Sequence, residues 1–124
     1  DYIWATYAPF SYTEMARLTT AGNLKIGGTA SRGTTEGTNQ VVIFNGTAPA
    51  GTLTNGASFY AASAEMRVKD GAGNDTLLSP HDKDGFYIHE ETNFKGRYLK
   101  IEMEKFLKAA AEKLGLEEFI TERF

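Results

Sequence analysis

His81 and His89 bracket the densest group of possible ligands in the chain, with Asp82 and Asp84 between them. Imidazole and carboxylate together suit zinc or a harder divalent ion, so a metal-dependent activity would draw on His81, Asp82 and His89. Their spacing matches neither a calcium loop nor an HExxH helix. The simpler reading of Ser79-Pro80-His81-Asp82 is a polar turn in which the Ser79 and Asp82 side chains bond to local backbone. Glu90 and Glu91 are the nearest approach to a carboxylate pair. Neighbours on a strand point to opposite faces, so these two read as solvated edge charges. Ser11, Ser31, Ser58, Ser63 and Ser79 lack a nucleophile elbow. Gly27-Gly28 and Gly71-Ala72-Gly73 lack the strand-to-helix context of a phosphate loop and read as turns. Asn45-Gly46-Thr47 and Asn74-Asp75-Thr76 are formal glycosylation acceptors. On these residues the expectation is a protein with no catalytic set, no bound metal and no cofactor.

The elements that would carry these residues are short. Ser11-Tyr12-Thr13-Glu14 has the form of a capping box and predicts a brief helix over about 12–18. Extended pieces surround Leu24-Lys25-Ile26. Gln40–Phe44, rich in β-branched residues, predicts a strand closed by Asn45-Gly46. Ala57–Ala61 predicts another. Glu65–Lys69 alternates, with Met66 and Val68 inward and three charges outward. Asp70–Asn74 is the loop of a hairpin that returns through Asp75–Leu78. Phe86–Glu90 and Arg97–Ile101 form a further hairpin around Thr92–Gly96, in which Tyr87 and Tyr98 pair across strands.

A helix is predicted from about Glu102 to Leu114. Glu102 and Glu104 lie in its first turn and Lys113 in its last, which suits the helix dipole, and Gly115 supplies the stop. Met103, Leu107, Ala110 and Leu114, widened by Phe106 and Ala111, make an apolar seam compatible with a short coiled coil. Leu116, Phe119, Ile120 and Phe124 continue the pattern as a final turn.

The chain has 124 residues, a formal net charge of −3 and no cysteine, which excludes disulfide stapling and thiol chemistry. No basic stripe offers itself to nucleic acid, and no apolar run is long enough for membrane insertion. The beginning Asp1-Tyr2-Ile3-Trp4, without an initiating Met, suggests a processed product or a fragment. Between Thr19 and Gly56, 17 of 38 residues are Gly or Thr. Such a stretch costs backbone entropy and brings few side chains to a core, so neighbouring chains are expected to supply the missing contacts. Three segments result: an aromatic N-terminal assembly segment (1–20), a Gly/Thr-rich β region (21–80), and a hairpin plus C-terminal helix (81–124). The expected fold is mainly β, with one C-terminal amphipathic helix, completed by homotrimerisation.

Ala21-Gly22-Asn23-Leu24-Lys25-Ile26-Gly27 resembles the repeats of bacteriophage tail-fibre shafts. Ile43–Pro49, Gly56–Tyr60, Glu65–Asn74 and the Leu77–Asp82 junction are similar to segments of such virion fibre proteins. The resemblance covers about residues 21–114 and implies an elongated, homotrimeric structural protein of a virion or other extracellular assembly. A recognisable Ser–Asp cleavage dyad and a long chaperone segment, frequent in that class, are missing here.

The residues expected to mediate assembly are Trp4, Tyr7, Phe10, Val41, Ile43, Met66, Val68, Met103, Phe106, Leu107, Ala110 and Leu114. Trp4 would anchor an N-terminal strand that adds to a neighbouring subunit or tucks against its own sheet. Partners would be further copies and neighbouring structural subunits. The alternative function is a glycan- or host-surface-binding module presenting Tyr87, Phe94 and Tyr98.

Overall fold

The computed structural model describes residues 1–8 and 11–124. The fold is mainly β, with two sheets and a C-terminal helix. The first sheet has the order β1 (Tyr2–Ala8), β2 (Ser11–Leu18), β3 (Leu24–Ile26) and β4 (Val41–Ile43). The second runs in chain order through β5 (Ser58–Ala62), β6 (Glu65–Lys69), β7 (Asp75–Leu77), β8 (His89–Thr92) and β9 (Tyr98–Ile101). Two compact units result, residues 1–48 with 60–65 and residues 49–59 with 66–124. The aromatic segment and the first half of the Gly/Thr-rich region thus fold as one sheet.

Ser11–Leu18 is a strand, not the expected helix. The capping signal covers four residues and no 3.6-residue apolar stripe follows it. A helix of that length is marginal alone, whereas β1 offers seven paired positions, from Tyr2 opposite Leu18 to Ala8 opposite Ser11. The register slips once, between Trp4 and Ala5, so that Met15 is the extra residue of a bulge on β2. Tyr7 and Tyr12 stack across this ribbon with ring centroids 5.3 Å apart. β2 and β3 are antiparallel, while β3 and β4 are parallel and joined by the long Gly/Thr-rich connection between them.

β6 has the predicted bounds, and its hairpin with β7 pairs Lys69 with Asp75. The Asp70 carboxylate closes that turn by accepting the backbone N–H groups of Gly73 and Asn74. Between β5 and β6 the turn is Ser63-Ala64, both at positive φ (51° and 61°) without a glycine. The Asn45 side chain holds it, accepting the Ala64 N–H at 2.7 Å. β8 starts three residues later than predicted. Phe86 is committed to the Asp82 turn, Tyr87 bridges to His81, and the Tyr87 carbonyl accepts the first-turn N–H of Glu104.

Helix α1 spans Met103–Leu114. Gly115 ends it at φ 70°, with Leu116 N–H donating to the Ala111 carbonyl and Gly115 N–H to that of Glu112. This doubly bonded left-handed stop needs a residue without a Cβ penalty. A short 3₁₀ turn follows at Glu117–Phe119. Among the described residues, the buried apolar side chains are Ala61, Leu77, Ile88 and Ala111. Only two of these exceed a methyl group.

Candidate assembly surface

Strand register places the apolar residues of the four-stranded sheet in two rows. Tyr2 pairs with Leu18, Leu18 with Leu24, and Leu24 with Val41. Trp4 pairs with Ala16, Ala16 with Ile26, and Ile26 with Ile43. Directly paired residues project from the same face of a sheet. One face therefore carries eight side chains from four strands, and none is charged. It is open at its edge strands, with Tyr2 73% exposed, Val41 62% and Trp4 54%, while Ala16, Leu18, Leu24 and Ile43 are half-buried.

The other face carries the ionic residues and is covered by its own chain at β3 and β4, whereas Ile3, Tyr7 and Tyr12 stay exposed on its β1–β2 side. Lys25 is only 4% exposed. Its ammonium pairs with Glu36 at 2.8 Å and donates to the carbonyls of Thr29 and Ala30 and to Ser31 Oγ. That cation holds the Glu36 carboxyl below the usual carboxylate range, helped by the Arg32 backbone N–H. Asn23 is buried beside it, donating to the Gly37 carbonyl and accepting the Gln40 N–H. Gln40 in turn donates to the Glu36 carbonyl. Gly28 lets the Phe44 ring approach: a Cβ there would lie 2.6 Å from the ring. A cavity of about 220 Å³ lies in this region, lined by Ala30, Ser31, Arg32, Glu36, Val42 and Phe44. Arg17, on the same face, pairs with Glu14 and Asp1.

Among the residues singled out from sequence, Trp4, Val41 and Ile43 share the apolar face. Tyr7 lies on the opposite one with Tyr12, and Phe10 lies outside the described residues. Tyr2, Ala16, Leu18, Leu24 and Ile26 complete the face and were not anticipated. The alternation Leu24-Lys25-Ile26 carried a signal for two of them.

Met66 and Val68 share a face of the second sheet with Leu99 and Ile101, and both are half-buried. The β6 charges expected in solvent are instead engaged. Arg67 bonds Asp75 on β7 and Glu90 on β8, and Lys69 donates to the Pro49 carbonyl at 2.8 Å. Glu90 and Glu91 do face opposite ways, but β8 is an interior strand and neither is a free edge charge. Arg67 and the Tyr98 hydroxyl bond Glu90, while Arg97 and His89 flank Glu91. Hydrogen bonding from Arg67 is the main cause of a Glu90 carboxyl held below its ordinary value.

On α1, Met103 and Ala110 are half-buried, whereas Phe106, Leu107 and Leu114 are exposed. The buried helical residue is Ala111, and the half-buried Glu104 and Lys108 form an ion pair on its side. The apolar seam is thus only partly covered, Phe106, Leu107 and Leu114 remaining in water.

Tyr87, Phe94 and Tyr98 are exposed, but Tyr87 and Tyr98 do not pair. Tyr98 lies opposite Thr92, Tyr87 bridges to His81, and Phe94 sits in the β8–β9 turn. Asp82 behaves as the polar-turn reading requires, accepting the N–H groups of Phe86 and Asp84, which hold its carboxyl below the usual range. Ser79 reaches further than expected and accepts the Met66 N–H of β6. Among the described residues, no three His, Cys, Asp or Glu side chains are grouped to hold a metal, and no helix is long and apolar enough to cross a membrane.

Comparison with known proteins returns no matching family model, no matching curated protein and no matching solved structure.

Proposed function

We propose that this chain is a non-enzymatic structural subunit of a virion fibre, spike or other extracellular assembly, and that it works as a homotrimer. The observation that carries the reading is the size of the core. Leu77 and Ile88 are the large apolar side chains buried among the described residues, while aromatic and aliphatic side chains stay open on both sheets and on α1. The chain exposes 9393 Å². Two wholly separate domains of these sizes would expose about 7,900 Å², from the scaling of surface with mass. The excess is what further copies would cover. The likeness of residues 21–114 to tail-fibre segments supplies the assembly class, and the Met103–Leu107–Ala110–Leu114 seam offers a helical plug to fix register.

Sedimentation equilibrium and native mass at micromolar concentration test this reading. The expected species has three times the 13.6 kDa chain mass and loses folded signal on dilution as it dissociates. A monomer that keeps its folded signal on dilution overturns the proposal.

A further inference from the structure

The open face of the four-stranded sheet has a definite chemistry. Eight side chains converge on it from Tyr2, Trp4, Ala16, Leu18, Leu24, Ile26, Val41 and Ile43, with the Tyr2 hydroxyl and the Trp4 indole N–H as its polar groups. Both of those lie on β1, at the sheet edge, where a polar tip can remain wet. The ionic groups of the same strands are on the far face and already satisfied, Lys25 by Glu36 and Arg17 by Glu14 and Asp1. No charge is left on the open side to select a partner of opposite sign. An uncharged face matches another uncharged face, and the chain itself provides one.

The area fits as well. From their fractional exposures, Tyr2, Trp4, Ile26 and Val41 leave on the order of 500 Å² of side-chain surface open. Three such faces meeting at one axis would together remove about 1,500 Å² from water, the scale of one standard interface shared among three chains.

We propose that this face is the inter-chain core, where the same face of each copy of this chain meets the others around the trimer axis. The inference rests on the assembly reading and deepens it: the sheet, ahead of the helical seam, is the primary contact. Trp4, the chain's sole tryptophan, then lies at the contact and reports on it directly.

The test uses the full chain and Val41→Lys, a substitution at an exposed β4 position that leaves the loop-covered face untouched. Burying an ammonium in an apolar contact is expected to weaken association by about 100-fold or more. Val41→Lys should therefore run as a monomer at micromolar concentration, with the reduced far-ultraviolet signal that the unmodified chain reaches only on dilution. Leu114→Lys on the helix should weaken association less. Trp4 emission in the unmodified chain should shift to the blue with rising concentration, and its acrylamide quenching should fall roughly threefold as water is excluded. This readout needs no variant and stands even if Val41→Lys fails to fold. An oligomer in which Trp4 stays fully quenchable overturns the sheet-face proposal while leaving assembly intact. A blue shift that appears only with phosphatidylcholine vesicles assigns the face to lipid and overturns it too. An unmodified chain that is monomeric at every concentration removes both readings.

Discussion

In the five-stranded sheet, Arg67 reaches from β6 to Asp75 on β7 and Glu90 on β8, and Tyr98 on β9 completes the same line of polar contacts. In the four-stranded sheet, Lys25 is folded under a loop of its own chain and the opposite, uncharged face stands open. Both sheets neutralise their charges internally. They differ in what remains: the second sheet ties its strands together with side chains that water can still reach, whereas the first buries Lys25 and Asn23 and leaves Tyr2, Trp4, Ile26 and Val41 in water. Burying polar groups is justified only if they are fully bonded, and Lys25 and Asn23 are. The exposed apolar rows have no such internal answer. Under the assembly proposed above, a sheet built this way would be one part of an interface.

The comparison breaks most readily at Lys25. Lys25→Met removes the ammonium that Glu36, Thr29, Ala30 and Ser31 share. The expected loss is about 2 kcal/mol, set by charge-assisted hydrogen bonds to a buried donor, and is read by urea unfolding at fixed protein concentration. Arg67→Met should cost less, about 1 kcal/mol, because its partners are partly solvated and screened. A larger loss for Arg67→Met than for Lys25→Met would reverse the contrast between the sheets.

Arg67→Met also has a pH signature. The folded Glu90 carboxyl lies below its ordinary value of 4.5, chiefly because Arg67 donates to it. A depressed folded value means the unfolded chain takes up protons first as pH falls. Glu90 therefore contributes stability above about 4.5, and that contribution disappears as pH drops through the lowered folded value. In Arg67→Met the acid-side decline of stability should be shallower. An identical decline in both proteins would separate Glu90 from acid sensitivity.

The smallest effect expected is a gain. Ala64 sits at φ 61° in the β5–β6 turn, a conformation that costs an L-residue roughly 1–2 kcal/mol. Ala64→Gly keeps the N–H bonded to Asn45 and relieves that strain, offset in part by the entropy of the unfolded glycine. The expected result is a rise of a few degrees in Tm. A fall would show that the turn is held too firmly by Asn45 for backbone strain to matter.

Local signals carried the elements whose cause is local. β6 was legible because Met66 and Val68 alternate with charges, and α1 because its charges follow the dipole and Gly115 ends it. The Ser11–Glu14 signature misled, because pairing with β1 outweighs a four-residue cap. The apolar face was not legible as a face. Its residues come from four separated strands, the bulge at Met15 shifts parity along β2, and the β3–β4 pairing is parallel across a long connection. Trp4, Val41 and Ile43 stand out singly in the sequence, but only register puts them on one side. The Phe86–Glu90 strand was displaced because the Asp82 turn and the start of α1 both claim its first residues.

β1 lies at the edge of its sheet, and Tyr2-Ile3-Trp4-Ala5-Thr6-Tyr7 contains no lysine, proline or carboxylate to discourage another strand from pairing with it. If the chain assembles as proposed, a newly made copy presents a pairing template before it has met its neighbours. Correct assembly then becomes a race, in which the yield of native oligomer depends on how quickly the apolar faces close relative to edge-to-edge capture. Both steps bring separate copies together, so dilution slows them alike and the outcome turns on how fast the faces close relative to edge capture.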